Sequence, residues 1–335
     1  RYYVPMKGQP RIYVSPQVKR GEKAYKCRYF RYLKESLEPY YDVLDPKDKP
    51  CLTQSTALLA HSFCADVYLL SFLENIGWHR MAWAQHIVVL LALWIIRARR
   101  KKIVFIYHNI VPHKGENRIT RSITARLFKD ADLVIAHSAA AAEVARTRTA
   151  PEKVIMAQHP VVRRRAKWEY SSTEYDIFIW GDILPYKGVA EFLESGVASD
   201  KRVLILGQCS DPSIIRRIEA HTGYGVVFEN RRPSFDEVAW HSGRCKYVLF
   251  PYLPGSVSGS GLLMDTIAMG GTPVGPDTGA FKDLSELGIC IVYDSYEELR
   301  KILHEDHRID TKAVEAFVQD NSWPAFAATI EGHLA

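Results

Sequence analysis

Residues 258 to 275, SGSGLLMDTIAMGGTPVG, place a run of only serine and glycine directly before an apolar segment long enough for a short helix. The first backbone N–H groups of a helix lack intrahelical partners, and the helix dipole leaves partial positive charge there. Small residues let an anion reach these groups, and serine hydroxyls add donors. The segment therefore predicts a phosphate site, although a capping serine next to a glycine turn would account for the same sequence.

A second segment could bring a positive charge to the same place. GDILPYKG, residues 181 to 188, follows the strand-like run DIFIW and carries Lys187 on a loop before the helix-like VAEFLES. The serine–glycine run follows another strand-like run, YVLFPY. In open parallel sheets, ligands bind beyond the carboxyl ends of the strands. We therefore expect Lys187 and the helix start to form a diphosphate clamp.

Strand-like and helix-like runs alternate along almost the whole chain. Apolar strands such as KIVFIYHN, DLVIAHS and RVLILGQ are separated by helical patterns, which predicts parallel sheets covered on both faces. The polar segment VVRRRAKWEYSSTEY, residues 161 to 175, is typical of a linker. We predict an α/β protein of two Rossmann-like domains with a cleft between them. The predicted domains are residues 1–165 and 166–318, with a C-terminal helix at 319–335 that crosses back to the first domain.

The longest apolar run, IVVLLALWII at residues 87 to 96, is too short to span a bilayer and predicts a buried helix. No signal peptide is expected, because Arg1-Tyr2-Tyr3 leads within ten residues to the strand-like RIYVSP. The six cysteines are scattered without zinc-ligand spacing. The sequence therefore predicts neither a disulfide framework nor a metal site, and a cytoplasmic protein.

The net charge of +6 is divided unevenly. Residues 1 to 170 contain 30 Lys and Arg against 14 Asp and Glu, a net charge of +16, whereas the remainder carries −10. This asymmetry predicts that the first domain docks peripherally on an anionic membrane surface or binds a soluble acidic acceptor. No nucleic-acid partner is predicted, because cations are interleaved with aromatics only in AYKCRYFRYL, residues 24 to 33, which is more typical of an amphipathic helix. The clustered cations are Lys19, Arg20, Lys23, Lys26, Arg28, Arg31 and Lys34, around a predicted amphipathic helix from Glu22 to Leu37, and Arg97 to Lys102.

Five segments, in this order, resemble motifs of the GT-B glycosyltransferases, in particular bacterial glycosyltransferase family 4 and related exopolysaccharide and capsule enzymes. They are KIVFIYHNIVPH, ADLVIAHS, FIWGDILPYKGVAEFL, YVLFPYLPGSVSGSGLLMDTIAMGGTPVGPDTG and Asn321-Ser322-Trp323. The resemblance implies the GT-B arrangement and transfer of a hexose from a UDP- or GDP-linked donor. The acceptor would be lipid-linked or a saccharide, in bacterial surface polysaccharide synthesis. No metal or cofactor is expected beyond the donor.

Carried over to this chain, the resemblance implies roles for particular residues. Lys187 would bind the donor diphosphate together with backbone groups of residues 258–261. Asp265 would hold the nucleotide ribose, and His108 would touch the transferred sugar. His108 and Lys187 are the predicted catalytic residues. The predicted donor-binding residues are Gly181, Lys187, Asn230, Arg231, Tyr252, Ser258, Gly259, Ser260, Gly261 and Asp265.

Two positions depart from the family pattern. Asp182 replaces the arginine that usually accompanies the phosphate lysine, so Lys187 acts alone or with Arg231 or Arg232. Val257 replaces a glutamate that contacts the sugar in retaining enzymes, which leaves a retaining, an inverting and an inactive protein open. In an inverting reaction the base would come from the first domain, as His113, Glu116 or His108.

Three other functions are compatible with the sequence. A metal-dependent single-domain transferase could use Asp130-Ala131-Asp132 as a D-x-D motif, although these acids end a helix and begin an apolar strand. A sugar-nucleotide epimerase would have the same two-domain shape, but the basic first domain and the lack of paired acids disfavour it. A non-catalytic nucleotide-binding protein would need only the phosphate site.

Overall fold

The computed structural model describes residues 8–17, 28–44, 53–108, 110, 115–162, 174–223, 225–253 and 259–335. The chain forms two compact units: Arg1–Gln158 with Trp323–Ala335, and His159–Ser322. These divisions lie a few residues from the boundaries expected at 165/166 and 318/319. Each unit is built on its own parallel sheet.

The sheet of the first unit has six strands, and every neighbouring pair is parallel. In chain order the strands are β1 (Arg11–Ser15), β2 (Asp42–Val43), β3 (Val67–Leu70), β4 (Lys102–Tyr107), β5 (Leu133–Ala136) and β6 (Val154–Met156). The helices are α1 (Arg28–Leu37), α2 (Gln54–His61), α3 (Ala82–Ala98), α4 (Arg118–Asp130) and α5 (Ala139–Arg146), with 3₁₀ helices at Leu73–Trp78 and Pro151–Lys153. Strands β3 and β5 are buried along their whole length, as expected for a sheet covered on both faces.

The sheet of the second unit also has six parallel strands. They are β7 (Ile177–Trp180), β8 (Val203–Leu206), β9 (Val226–Glu229), β10 (Tyr247–Leu249), β11 (Pro273–Pro276) and β12 (Ile291–Tyr293). The helices are α6 (Val189–Glu194), α7 (Pro212–Glu219), α8 (Phe235–Ser242), α9 (Gly261–Ala268), α10 (Gly279–Glu286), α11 (Tyr296–His304) and α12 (Thr311–Asp320), with a 3₁₀ turn at Pro185–Lys187.

The last helix, α13 (Trp323–Leu334), belongs to the first unit and packs on α1. Trp323 contacts Tyr29 edge to face, with 4.9 Å between the ring centroids. The expectation that the C-terminal helix returns to the first domain is therefore confirmed. So is the prediction of an α/β protein with two Rossmann-like sheets.

The strand order shows where each sheet should bind ligands. In the second unit the order β12-β11-β10-β7-β8-β9 reverses direction between β7 and β10. In the first unit the order β2-β1-β3-β4-β5-β6 reverses between β1 and β3. Connections leave for opposite faces at such a point, which opens a crevice at the carboxyl ends of the two strands. The loops after β7 and β10 are those that carry Lys187 and the start of α9.

The prediction that the apolar run at residues 87 to 96 is buried was wrong for one face of the helix. Val89, Leu93 and Ile96 of α3 are fully buried, but Ile87 and Trp94 are 58% and 61% exposed. Helix α3 packs on α2, α4 and the 3₁₀ helix, which cover only its inner side. No helix in the described part of the chain is long and apolar enough to cross a membrane.

Candidate functional site

Two glycines allow the loop after β7 to pack closely against neighbouring segments of the chain. Gly181 has φ +96°, and a Cβ there would lie 2.6 Å from the side chain of Leu262 in the first turn of α9. Gly188 has φ +61°, and a Cβ there would overlap the carbonyl oxygen of Pro251. The N–H of Leu253 donates to the carbonyl of Tyr186 at 2.9 Å. These contacts bring the loop after β7 against both the segment after β10 and the start of α9.

Lys187 is held inside this arrangement. Its side chain is buried, with only 6% of the residue exposed, and its Nζ lies 5.8 Å from the centroid of the Tyr252 ring. Among the residues that the structure describes, none forms a hydrogen bond or ion pair with this Nζ. Burial lowers the pKa of Lys187 to about 8, against a smaller opposing effect of the Asp182 carboxylate. An ammonium group buried without a bonded anion is costly, which indicates that an anionic ligand completes the site.

Helix α9 begins beside the same lysine. Its N-cap is Ser260, whose Oγ accepts from the N–H of Leu263 at 3.3 Å. The N–H groups of Gly261 and Leu262 precede the first intrahelical bond. A buried hydrogen bond of 2.9 Å from Trp180 Nε1 to Thr266 Oγ1 fixes α9 to the end of β7. The serine is therefore the cap, and the same helix start presents N–H groups next to a buried ammonium.

Two of the predicted donor-binding residues form other contacts in the second unit. The side-chain amide of Asn230 accepts from Cys209 N at 2.8 Å and donates to Cys209 O at 3.2 Å, which ties the end of β9 to the end of β8. Arg231 binds the carboxylates of Glu229 and Glu237, at 2.6 and 2.7 Å.

The remaining predicted residues of this unit are placed as follows. Arg232 pairs with Asp182 at 3.1 Å, so this arginine meets the acid beside Lys187. Tyr252 is buried and faces Lys187. Asp265 lies partly exposed on α9, one turn after Gly261. Gly259 directly precedes the cap, and Ser258 lies outside the described residues, as does Val257.

In the first unit, His108 directly follows β4 and lies within an aromatic cluster. Its ring stacks on Phe72 with 4.2 Å between the centroids, and lies 5.1 Å from the rings of Tyr29 and His137. His137 Nδ1 lies 2.8 Å from Ala157 O, and its Nε2 lies 3.0 Å from Tyr29 Oη. Burial lowers the pKa of His137 to about 4, so the ring is neutral, with Nδ1–H donating and Nε2 accepting. The hydrogen bond between His137 and Tyr29 fixes the positions of two rings that His108 contacts.

Sequence reasoning missed three polar side chains at the switch point of the first sheet. Gln17 follows β1, and Ser71 and Glu74 follow β3. Within the described ranges, buried side-chain atoms of all three have no hydrogen-bond partner: both amide atoms of Gln17, Ser71 Oγ and Glu74 Oε2. Burial raises the pKa of Glu74 to about 7. The available signal was the position of these residues directly after strand-like runs.

The acids considered as metal ligands have other roles. Asp130 is buried in an ion pair with Arg126 at 2.5 Å. Asp132 Oδ2 accepts from Ile103 N at 2.9 Å and from Arg97 at 3.1 Å. Within the described ranges, no group of three or more His, Cys, Asp or Glu could hold a metal ion. His113 lies outside these ranges, and Glu116 is exposed.

Solved structures of similar fold were found over nearly the whole chain. No protein-family model matches the sequence, and no curated protein matches it. HepE of Anabaena, in complex with UDP-glucose, matches with a TM-score of 0.69 and 12% identity, over 97% of this chain and 99% of HepE. The lipopolysaccharide outer core galactosyltransferase WaaB matches with a TM-score of 0.67 and 10% identity, over 96% and 98%. The chain has the GT-B fold.

A third similar structure is the UDP-forming α,α-trehalose-phosphate synthase of Burkholderia vietnamiensis. It matches with a TM-score of 0.65 and 11% identity, over 97% of each chain. At these identities the GT-B fold is common to the chains, whereas the residues of the site are this chain's own. The roles predicted for His108, Lys187 and the donor-binding residues therefore remain predictions.

Replacing Lys187 with methionine should raise the stability of the ligand-free protein and weaken its binding of nucleotide. The pKa of Lys187 is about 8 in the folded protein, against 10.5 for an ordinary solvated lysine. The unfolded chain thus binds more protons between these values, and the full cost of the buried charge is present below pH 8. We expect Lys187→Met to stabilise the ligand-free protein at pH 7, by up to about 3 kcal/mol. It should weaken binding of UDP or GDP by roughly 1.5–3 kcal/mol.

The measurement is chemical denaturation together with calorimetric titration of the nucleotide. The wild-type affinity should also fall above pH 8, as the ammonium loses its proton, and the Met variant should lose this dependence. Lys282→Met, at an exposed position of the same unit, is the matched control. Nucleotide affinity within twofold of wild type in Lys187→Met would exclude the role.

The start of α9 should bind through its backbone. Gly259→Val or Gly261→Val should abolish nucleotide binding, because a branched side chain covers the N–H groups. A Cβ at Gly261 would already lie 3.3 Å from His159 Nε2. Ser260→Ala removes the cap and should cost about 0.5–2 kcal/mol of stability, while nucleotide binding is largely kept. Normal binding by folded Val variants, measured by calorimetry, would mean that the helix start is only a turn.

Glu74 should make stability depend on pH in the opposite sense to Lys187. Its pKa of about 7 lies above the ordinary glutamate value of 4.5, so the folded protein binds the proton more tightly. Stability should therefore fall as the pH rises from 4.5 to 7, by roughly 3 kcal/mol at most. Denaturation curves of Glu74→Gln should show a gain over wild type at pH 8 and a much smaller gain at pH 5. The exposed Glu116→Gln is the control, and an equal gain at both pH values would refute the assignment.

Proposed function

We propose that the protein is a glycosyltransferase that takes a sugar from a nucleoside-diphosphate donor. The observation that carries the proposal is the burial of the Lys187 ammonium beside the N-terminus of α9, at the switch point between β7 and β10. None of the described residues gives this ammonium a bonded anion. A diphosphate supplies the missing negative charge. The GT-B fold supports the proposal, since similar structures include a UDP-glucose complex and a galactosyltransferase.

The chemistry follows from where charge develops. Transfer breaks the bond between the anomeric carbon of the sugar and a phosphate oxygen, and forms a bond from that carbon to an acceptor oxygen. Negative charge grows on the departing diphosphate, where Lys187 and the N–H groups of Gly261 and Leu262 would stabilise it. With a pKa of about 8, Lys187 is protonated at neutral pH and carries the needed charge. The acceptor proton passes to the departing phosphate oxygen or to a base of the first unit.

The acceptor is proposed to bind at the switch point of the first sheet. Gln17, Ser71 and Glu74 hold buried polar atoms there that have no partner in the described part of the chain, and such groups suit the hydroxyls of a saccharide. A lipid-linked or oligosaccharide acceptor in bacterial surface polysaccharide synthesis, such as that of a capsule, fits both these groups and the basic charge of the first unit. His108 is proposed to touch the transferred sugar. Transfer is expected without a metal, because Lys187 and α9 supply positive charge.

A panel of UDP-, GDP- and CMP-sugars tests the proposal through thermal stability. The correct donor should raise the melting temperature by mass action, and the same donor should release its nucleoside diphosphate when an acceptor saccharide is added. Lys187→Met should lose the thermal shift, and the release should persist in EDTA. If no member of the panel raises the melting temperature or is cleaved, the protein is not a transferase of this class.

A further inference from the structure

Helix α3 exposes a continuous apolar face. Trp83, Ile87, Leu91 and Trp94 are 65, 58, 45 and 61% exposed, and their spacing of four, four and three residues puts them on one side of the helix. We call these four residues the α3 stripe. Single exposed apolar residues are common on protein surfaces, but a contiguous row of large ones marks an interaction site.

Further apolar side chains extend the stripe at both ends. Trp78 and Met81, at the N-terminal end of α3, are 44% and 60% exposed. At the other end, Arg99 donates to the carbonyl of Ser62 at 2.7 Å, which places the exposed Phe63 near the last turn of α3. Large aromatic rings therefore lie at both ends of an aliphatic centre.

Cations border the stripe. His86 Nε2 of α3 lies 2.9 Å from Ser122 Oγ of α4, which aligns the two helices. Ser122 shares its helix face with Arg118 and Lys129, and both cations are exposed. Arg100 and Lys102, also exposed, follow the C-terminal end of α3. Residues 82 to 130 contain ten Lys and Arg against two acids, Glu116 and Asp130, of which Asp130 is buried with Arg126.

We propose that the α3 stripe docks on an anionic membrane surface. Helix α3 would lie in the plane of the interface, with Trp83 and Trp94 at headgroup level and the bordering cations against lipid phosphates. The exposed stripe and the cations beside it support this docking. They do so independently of the proposed transferase activity.

The cations beside the α3 stripe favour an anionic membrane over a second copy of the protein as the binding partner. Two copies docked stripe to stripe with antiparallel α3 helices would bring α4 of one copy beside α4 of the other, so that Arg118 and Lys129 of the two copies repel. An anionic lipid surface neutralises them instead. The surface also differs from the one that the sequence indicated around Glu22 to Leu37. Lys34 of α1 is buried, Arg31 pairs with Glu35 at 3.9 Å, and Lys19, Arg20, Lys23 and Lys26 lie outside the described residues.

Flotation of the full chain with phosphatidylcholine vesicles, with and without phosphatidylglycerol, tests the proposal. We expect binding to the anionic vesicles, weaker binding to the neutral ones, and loss of binding at high salt. Trp83→Ser with Trp94→Ser should lower the partition coefficient by at least about tenfold. Arg118→Glu with Lys129→Glu should remove the preference for anionic lipid. Trp240→Ser, which removes a similarly exposed tryptophan of the second unit, should change nothing.

Two further readouts keep the test decisive. Melting temperatures equal to wild type show that the surface variants fold, and brominated lipids should quench wild-type fluorescence more than that of the Trp83/Trp94 variant. Negligible or equal binding of the wild-type protein to both vesicle types would overturn the proposal. So would vesicle binding that the α3 variants leave intact, or a dimer in sedimentation that depends on Trp83 and Trp94 in a protein that ignores vesicles.

Discussion

The site in the second unit depends on one buried positive charge to which no anion is bonded among the described residues. The chain buries the Lys187 ammonium at the end of β7, close to the Tyr252 ring. The nearby acid, Asp182, is bonded to Arg232 and acts on the lysine only through space. A full ion pair would have stabilised the empty protein and would have had to be broken by any anionic ligand. Leaving the ammonium without a bonded anion keeps its charge available for binding.

Backbone shape makes this burial possible. At Gly181 a side chain would strike Leu262, and at Gly188 it would strike Pro251, so two glycines allow three chain segments to meet around one lysine. The bond between Trp180 and Thr266 then sets the position of α9 on the same strand. Because rigid elements hold both the charge and the helix N-terminus, little reorganisation is needed when an anion binds, which is the condition for efficient electrostatic stabilisation.

The first unit has the same kind of sheet and uses its carboxyl edge differently. The described residues at this edge include no buried lysine; they include neutral His137, bonded to Tyr29, and Glu74, whose pKa of about 7 makes its charge sensitive to small changes. Exposed cations in the described part of this unit lie at the end of α3 and on α4, among them Arg100, Arg118 and Lys129. Positive charge on such a surface suits a large anionic partner.

The sequence alone determined the helices and strands and the two segments of the proposed phosphate site. Apolar runs and helical patterns are local signals, so the parallel strands, the loop with Lys187 and the start of α9 were predictable from neighbouring residues. Tertiary structure decided which groups meet across long separations. Arg232 bonds Asp182, 50 residues away, and Asn230 ties Cys209, 21 residues away. The exposure of one face of α3 also depends on which helices cover it. An apolar run predicts which residues form a helix. Which face of that helix is exposed to solvent depends on tertiary packing.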